Sequence, residues 1–370
     1  MMPKNVLGLV YSNSFDEALN PLTARRTMGS VPFGGRYRLI DFELSNLVNS
    51  GVTKVGVFAN LNFRSLMDHI GSGRSWDLSR KVDGLVLLPP FSAVGGEALH
   101  DSIDTLSRNM EFIARSKQEY VLLMYSNFVC NMDLTKLFDF HTEKNADVTI
   151  VYAHGKKPAL DPMLTLTRDG DRITDLSLQK TGDAEVDYSA NMVLMSKALL
   201  QRLVADCEGV RHQSFEQDIL QANVGRLNMF AYKAENKNFT IDSMQSFFDA
   251  NMALLDRDVR RDLFSAERPV YTKVRNDMPV VYGLEADAGN SLIADGCVIE
   301  GTVKNSVLFR GVRVAKGAVV ENSILMQDAY VGEDARLNCV IMDKNTVVTP
   351  NKTLSGDKSY PLFVGKEITI

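Results

Sequence analysis

The sequence predicts an α/β domain followed by a parallel β-helix. Two observations carry that prediction. Through the first two-thirds of the chain, short apolar runs alternate with segments of helical spacing, whereas in the last 80 residues one tetrapeptide pattern occurs four times. The 370 residues, 45% hydrophobic and 24% charged, are enough for two domains of ordinary globular make-up.

The apolar runs Val6–Tyr11, Val55–Ala59, Tyr120–Met124 and Val148–Ala153 read as buried strands. Between them, Phe42, Leu44, Leu47 and Val48, and later Leu134, Leu137 and Phe138, recur at helical intervals. Strands alternating with helices imply a mostly parallel sheet covered on both faces. Ligands in such sheets sit at the carboxyl ends of the strands, which directs attention to the segments after Tyr11, Ala59 and Met124. A long helix is expected over Ser243–Phe264, with Met244, Phe247, Phe248, Met252, Leu254 and Leu255 as its core-facing stripe. Arg268-Pro269 and Met278-Pro279 mark a linker.

Beyond it, Asn290-Ser291-Leu292-Ile293 recurs as Asn305-Ser306-Val307-Leu308, Asn322-Ser323-Ile324-Leu325 and Asn338-Cys339-Val340-Ile341. Aliphatic residues also recur six apart, as in Val314 with Val320 and Val331 with Leu337. Three hexapeptides close one triangular coil with the aliphatics stacked inside. The expected boundaries are 1–265 for the α/β domain, 266–289 for the linker and 290–370 for the β-helix.

Composition removes several function classes. A net charge of −5 and a pI near 5.7 supply no basic field for a nucleic-acid backbone. No apolar run is long enough to span a bilayer, and Val6 to Val10 is too short for a signal-peptide core. Cys130, Cys207, Cys297 and Cys339 form no C-x-x-C pair, so reduced thiols in a cytoplasmic protein are expected. The five His residues show no metal-binding spacing. His212 is the last of them, so the β-helix holds no histidine base for acyl transfer.

Four stretches carry a resemblance. They are Val31-Pro32-Phe33-Gly34-Gly35-Arg36-Tyr37-Arg38-Leu39-Ile40-Asp41-Phe42 with Asn49-Ser50-Gly51 after it; His69-Ile70-Gly71 with Trp76-Asp77-Leu78; Ala250-Asn251-Met252; and the β-helix repeats. Together they resemble the bacterial ADP-glucose pyrophosphorylase (glucose-1-phosphate adenylyltransferase) family over essentially the whole chain. The resemblance implies a Rossmann-like nucleotidyltransferase domain joined to a left-handed β-helix, assembled as a tetramer. It implies attack of a glucose-1-phosphate oxygen on the α-phosphate of ATP, with pyrophosphate leaving, to make ADP-glucose for glycogen. Such chemistry needs Mg²⁺ on carboxylates, a Gly-rich phosphate turn and basic side chains.

Against that pattern, Asn13-Ser14-Phe15-Asp16-Glu17-Ala18-Leu19 stands where the family has its Gly-Gly-x-Gly-x-Arg-Leu turn. Ala18 replaces the arginine, and Asp16 and Glu17 are expected to repel a triphosphate. Met28-Gly29 replaces the family's Lys-Pro. The two metal carboxylates align with Asn127 and Thr240, although Asp242, two residues on, would share a strand face with Thr240. No catalytic residue or metal ligand is therefore assigned, and no cofactor is expected for this chain alone; Mg²⁺ belongs to a catalytic partner. Ser102, Asp104, Lys180 and Ser189 match what survives of the sugar-phosphate side, as a working pocket or as a solvated relic.

Arg25, Arg26, Arg36 and Arg38 crowd a Gly-containing stretch, and in the resembling family the cation after Phe-Gly-Gly belongs to the region that binds phosphorylated glycolytic effectors. They are candidate effector residues; the alternative is a solvated loop in which Arg38 pairs with Asp41. Three functions remain open at this point. One is a regulatory subunit in a heterotetramer with a catalytic paralogue, with a phosphorylated sugar as effector. Another is an active adenylyltransferase that uses Asp242. The third is a stand-alone sugar-phosphate sensor.

Overall fold

The computed structural model describes residues 3–89, 102–156, 158–159, 163–179, 185–207 and 214–370. In chain order its strands begin with β1 (Val6–Tyr11), β2 (Pro32–Phe33), β3 (Tyr37–Arg38), β4 (Lys54–Phe58), β5 (Gly84–Leu88), β6 (Tyr120–Tyr125) and β7 (Phe128–Cys130). There follow β8 (Val148–Lys156), β9 (Met163–Asp169), β10 (Arg172–Gln179), β11 (Glu185–Ser196), β12 (Met229–Lys233) and β13 (Asn238–Thr240). The helices are α1 (Ile40–Asn49), α2 (Arg64–Ile70), α3 (Ser102–Arg108), α4 (Met110–Arg115), α5 (Leu134–Glu143), α6 (Lys197–Asp206), α7 (Met244–Ala253) and α8 (Arg257–Leu263).

Nine strands form one sheet in the order β5-β4-β1-β6-β11-β8-β12-β10-β9. Pairing is parallel from β5 to β6 and between β8 and β12, while β11 runs antiparallel to both β6 and β8. The sheet is thus mixed, with a β9–β10 antiparallel hairpin at its edge that apolar runs alone did not disclose. All six residues of β1 are buried, as a strand covered on both faces requires. One face packs on Leu44, Leu47, Leu137 and Phe138, the other on Ile103, Leu106, Ile113 and Leu200. Gly8 is required by that closeness: a Cβ there would lie 2.8 Å from the Leu47 side chain of α1.

The helix expected over Ser243–Phe264 divides into α7 and α8. Asp256 restarts it, its carboxylate accepting from the N–H of Asp258 at 2.7 Å and of Val259 at 3.4 Å. N-capping satisfies donors that an uninterrupted helix would not leave free.

Fifteen short strands from Val281–Tyr282 to Leu362–Val364 stack into three parallel five-stranded sheets, the walls of a β-helix. Its first two strands, Val281–Tyr282 and Asp287–Gly289, lie inside the segment read as linker. The repeats hold, with one offset. Asn290, Asn305 and Asn322 turn the corner at φ 43–47°, but in the fourth coil Cys339 does so, at φ 53°. Ile324 accordingly pairs with Ile341, one residue later than the tetrapeptide match implies. Asparagine tolerates the left-handed region; the pairing register decides who occupies it.

Val307, Phe309, Ile324, Met326 and Ile341 of the β-helix share one buried cluster with Met28, Phe33, Phe42 and Phe247 of the α/β domain. The two domains therefore meet through a common core. No helix among the described residues is long and apolar enough to cross a membrane.

Candidate functional site

At the carboxyl end of β1 the chain turns in one 3₁₀ segment, Asp16–Leu19. Phe15 precedes it at φ 66°, a region that favours glycine, and its ring packs against all three cores of the α/β domain. Leu19 and Met28 are fully buried, and Ala18 is half-buried against the same apolar residues. Asp16 turns inward instead of facing a phosphate: Oδ1 accepts the Met28 N–H at 2.6 Å and Oδ2 accepts from Asn13 Nδ2 at 2.8 Å. Burial pushes its carboxyl up to about 7, against the lowering effect of those two donors. Asp16 thus also has an occupying role: its carboxyl is tied to the Met28 N–H, just beyond the Asn13–Leu19 run. Glu17 remains exposed.

The structure brings Asn127, Ser189 and Thr240 together. Thr240 on β13 pairs with Phe128 on β7, next to Asn127, and the Ile241 N–H donates to the Asn127 carbonyl at 2.7 Å. Asn127 Oδ1 accepts from Asn191 Nδ2 at 3.2 Å, while Asn127 Nδ2 is buried without a hydrogen-bond partner. Ser189 Oγ accepts the Asn191 N–H at 3.0 Å across a bulge in β11, where Asn191 adopts φ 55°. The Thr240 hydroxyl is buried beside the Tyr188 phenol. Amides and hydroxyls at this point do not fit Mg²⁺, which takes carboxylates. Asp242 lies two residues beyond Thr240, half-buried. Its carboxylate accepts from the Ala159 N–H and the Ser243 hydroxyl, and its own N–H donates to Ser246 at the start of α7. Among the described residues no group of three His, Cys, Asp or Glu is placed to hold a metal. Asp104 is exposed on α3; Ser102 opens that helix, and Lys180 lies outside the described residues.

The four arginines separate into different roles. Arg25 pairs with Glu367 at 3.1 Å on the surface. Arg26, 3% exposed, lodges one guanidinium nitrogen between the two Asp343 oxygens, at 2.8 and 2.9 Å. It thus ties its loop to the β-helix, a contact that sequence proximity to Arg36 conceals. Arg38 donates to the Ser65 carbonyl at 2.6 Å and hydroxyl at 3.0 Å, and only its backbone N–H reaches Asp41, at 3.0 Å. Burial lowers the Arg38 guanidinium to about 10. Arg36 is exposed and lies 5.8 Å from the Tyr37 ring centre.

Arg36 and Arg38 open onto a cavity of about 180 Å³ between the domains. Its other cations are Lys273 and Arg275 of the linker segment and Arg310 and Lys344 of the β-helix, with His69 beside them. None of these five was singled out from sequence as an effector residue. Only the alternation of Lys273 and Arg275 signals that two linker cations share a side. Arg310 is 7% exposed, yet Nε and Nη2 have no hydrogen-bond partner; the nearest carboxylate oxygen, of Asp277, is 3.6 Å away. Burial and the neighbouring Arg36 lower its proton affinity. His69 Nε2 meets Asp41 Oδ1 at 2.5 Å. A buried guanidinium with unpaired donors, inside a wall of cations, is an arrangement suited to a phosphate or sulfate group.

Residues 17–257 match the nucleotidyl transferase family and residues 280–360 the GlmU-like C-terminal hexapeptide family. The chain is 38% identical to the glycogen biosynthesis protein GlgD of Geobacillus stearothermophilus, over 99% of this chain and 97% of that protein. It is 32% identical to the GlgD protein of Bacillus subtilis (strain 168), over the same shares. Against the glucose-1-phosphate adenylyltransferase of Clostridium beijerinckii it is 34% identical, over 87% of this chain and 85% of that enzyme.

Proposed function

The chain belongs to the bacterial ADP-glucose pyrophosphorylase (glucose-1-phosphate adenylyltransferase) family, and from that premise we propose that it serves glycogen synthesis as the regulatory partner of a catalytic paralogue. The observation that carries this reading is the closed phosphate turn: Asp16 holds the Met28 N–H, and Phe15, Leu19 and Met28 fill the loop. An adenylyltransferase needs that space for a triphosphate and positive charge around it. Mg²⁺ is left to the catalytic partner, since Asn127 and Thr240 offer it no carboxylate and the Asp242 carboxylate accepts from the Ala159 N–H and the Ser243 hydroxyl.

The interdomain cavity supplies the regulatory half. Its cations come from both domains and the segment between them, so an anion seated there touches both sides of the joint. An effector that prefers one disposition of the domains biases that disposition, and partner subunits in a heterotetramer feel it through their shared interfaces. A phosphorylated sugar has the charge for this cavity.

The test is an assay of ADP-glucose formation by this chain alone, by the catalytic paralogue alone and by the mixture. The expected result is no turnover from the isolated chain and an altered rate or effector response in the mixture. Turnover by the isolated chain at the paralogue's rate refutes the regulatory reading; a mixture indistinguishable from the paralogue refutes the partnership.

A further inference from the structure

Most carboxylates around the interdomain cavity are already engaged. Asp343 is taken by Arg26, Asp41 by His69, and Asp277 lies 3.5 Å from Arg275 and 3.6 Å from Arg310. Lys344 has no carboxylate at ion-pair distance among the described residues. Its neighbour Asp343 offers it only a backbone contact, accepting the Lys344 N–H at 2.7 Å while its carboxylate faces Arg26.

The groups facing the Lys344 amine are mostly cationic. Arg26, Arg38 and His69 approach from the α/β domain; Asp343 and Lys366 approach from the β-helix. Lys366 is itself paired with Glu367 at 3.0 Å. Burial first, then Arg38 and Arg26, bring the amine down to about 7, with Asp343 opposing. An arriving dianion would supply the negative charge that this end of the cavity lacks.

We propose that a dianion, a phosphate monoester or inorganic sulfate, binds this cavity together with one proton, taken from solvent by the Lys344 amine. The lone pair of the amine accepts the proton and becomes an ammonium; no bond to the ligand is made or broken. The inference rests on the cavity being the anion site of the preceding section and adds how that site responds to pH. Above neutrality the empty cavity holds a neutral amine and the filled one an ammonium. Affinity therefore falls as pH rises, by up to tenfold per unit, and levels off below pH 7. His69 is held below its ordinary value by burial, so its own charging belongs to more acidic solution.

The experiment titrates inorganic sulfate into the full chain by calorimetry between pH 6.5 and pH 9, in two buffers of different ionisation enthalpy. Sulfate has no proton to lose in this range, whereas a phosphate ester titrates near pH 6. The expected result is uptake of close to one proton at pH 8, with affinity dropping towards tenfold per unit above pH 7.5. Lys344→Arg, always charged, should bind with no uptake and a flat profile; His69→Asn should keep the uptake. Sulfate binding without proton uptake, or uptake that survives in Lys344→Arg, overturns this inference and leaves the anion site standing. Absence of sulfate binding at every pH overturns the anion site itself, and this inference with it.

Discussion

Breaking the Arg26–Asp343 pair tests how the two domains are locked. The pair joins residues 317 positions apart, both side chains are 4% exposed, and the contacts are 2.8 and 2.9 Å. Asp343→Ala strands the guanidinium in the domain joint, where its other nitrogen meets only Met326 Sδ at 3.9 Å and where Arg38 adds like charge. Removing one partner of a buried pair costs about 3–5 kcal/mol, and the surrounding cations place this case near 4 kcal/mol. With a urea dependence of roughly 3 kcal/mol per molar or more for a chain of this size, the unfolding midpoint should drop by about 1 M. Trp76, the single tryptophan and 1% exposed, reports the α/β domain by fluorescence; far-ultraviolet dichroism adds the β-helix. Replacing both partners, Arg26→Met with Asp343→Leu, removes the charges together and should return to within about 1 kcal/mol of the parent. A shift below about 0.2 M for Asp343→Ala, or a double variant no better than the single one, would refute the reasoning.

Three further outcomes are expected. The folded Asp16 carboxyl titrates at about 7 against 3.8 ordinarily, so the folded chain keeps a proton that the unfolded chain releases. The contribution of Asp16 is full below pH 4 and lost as pH rises through 7; thermal melts of Asp16→Asn should diverge upward from the parent across that window and run parallel above it. Asn127→Asp combined with Thr240→Asp should yield no ADP-glucose in a coupled pyrophosphate assay, because Ala18 and the Asp16–Met28 contact still close the phosphate turn. Arg310→Gln should weaken sulfate binding by about ten- to a hundredfold, the worth of one charged hydrogen bond, with little loss of thermal stability, because Nε and Nη2 make no hydrogen bond in the free chain and Asp277 keeps Arg275 beside it.

Much of the fold was legible because its signals are local. β1 and α1 follow from runs of apolar residues at strand and helix spacing, and the β-helix from one recurring tetrapeptide. Asp256 was harder to see: it caps α8 through its own neighbours, yet sits inside a stripe whose apolar spacing continues unbroken. Cys339, not Asn338, turns the corner of the fourth coil, because the ladder Ile324–Ile341 sets register and the corner residue follows.

What the sequence determined by itself is side-chain identity: no folding event can create a carboxylate at Asn127 or Thr240, or a cation at Ala18. Only the tertiary structure decided what the charged residues do instead. Asp16 holds the Met28 N–H, because it is folded onto its own loop; Arg26 is an interdomain lock, because Asp343 arrives from the other end of the chain. The cation-lined cavity exists because Arg36, Lys273, Arg310 and Lys344, far apart in sequence, converge at the domain joint. Covalent identity is fixed residue by residue. Charge acts through space and burial, and both are properties of the fold.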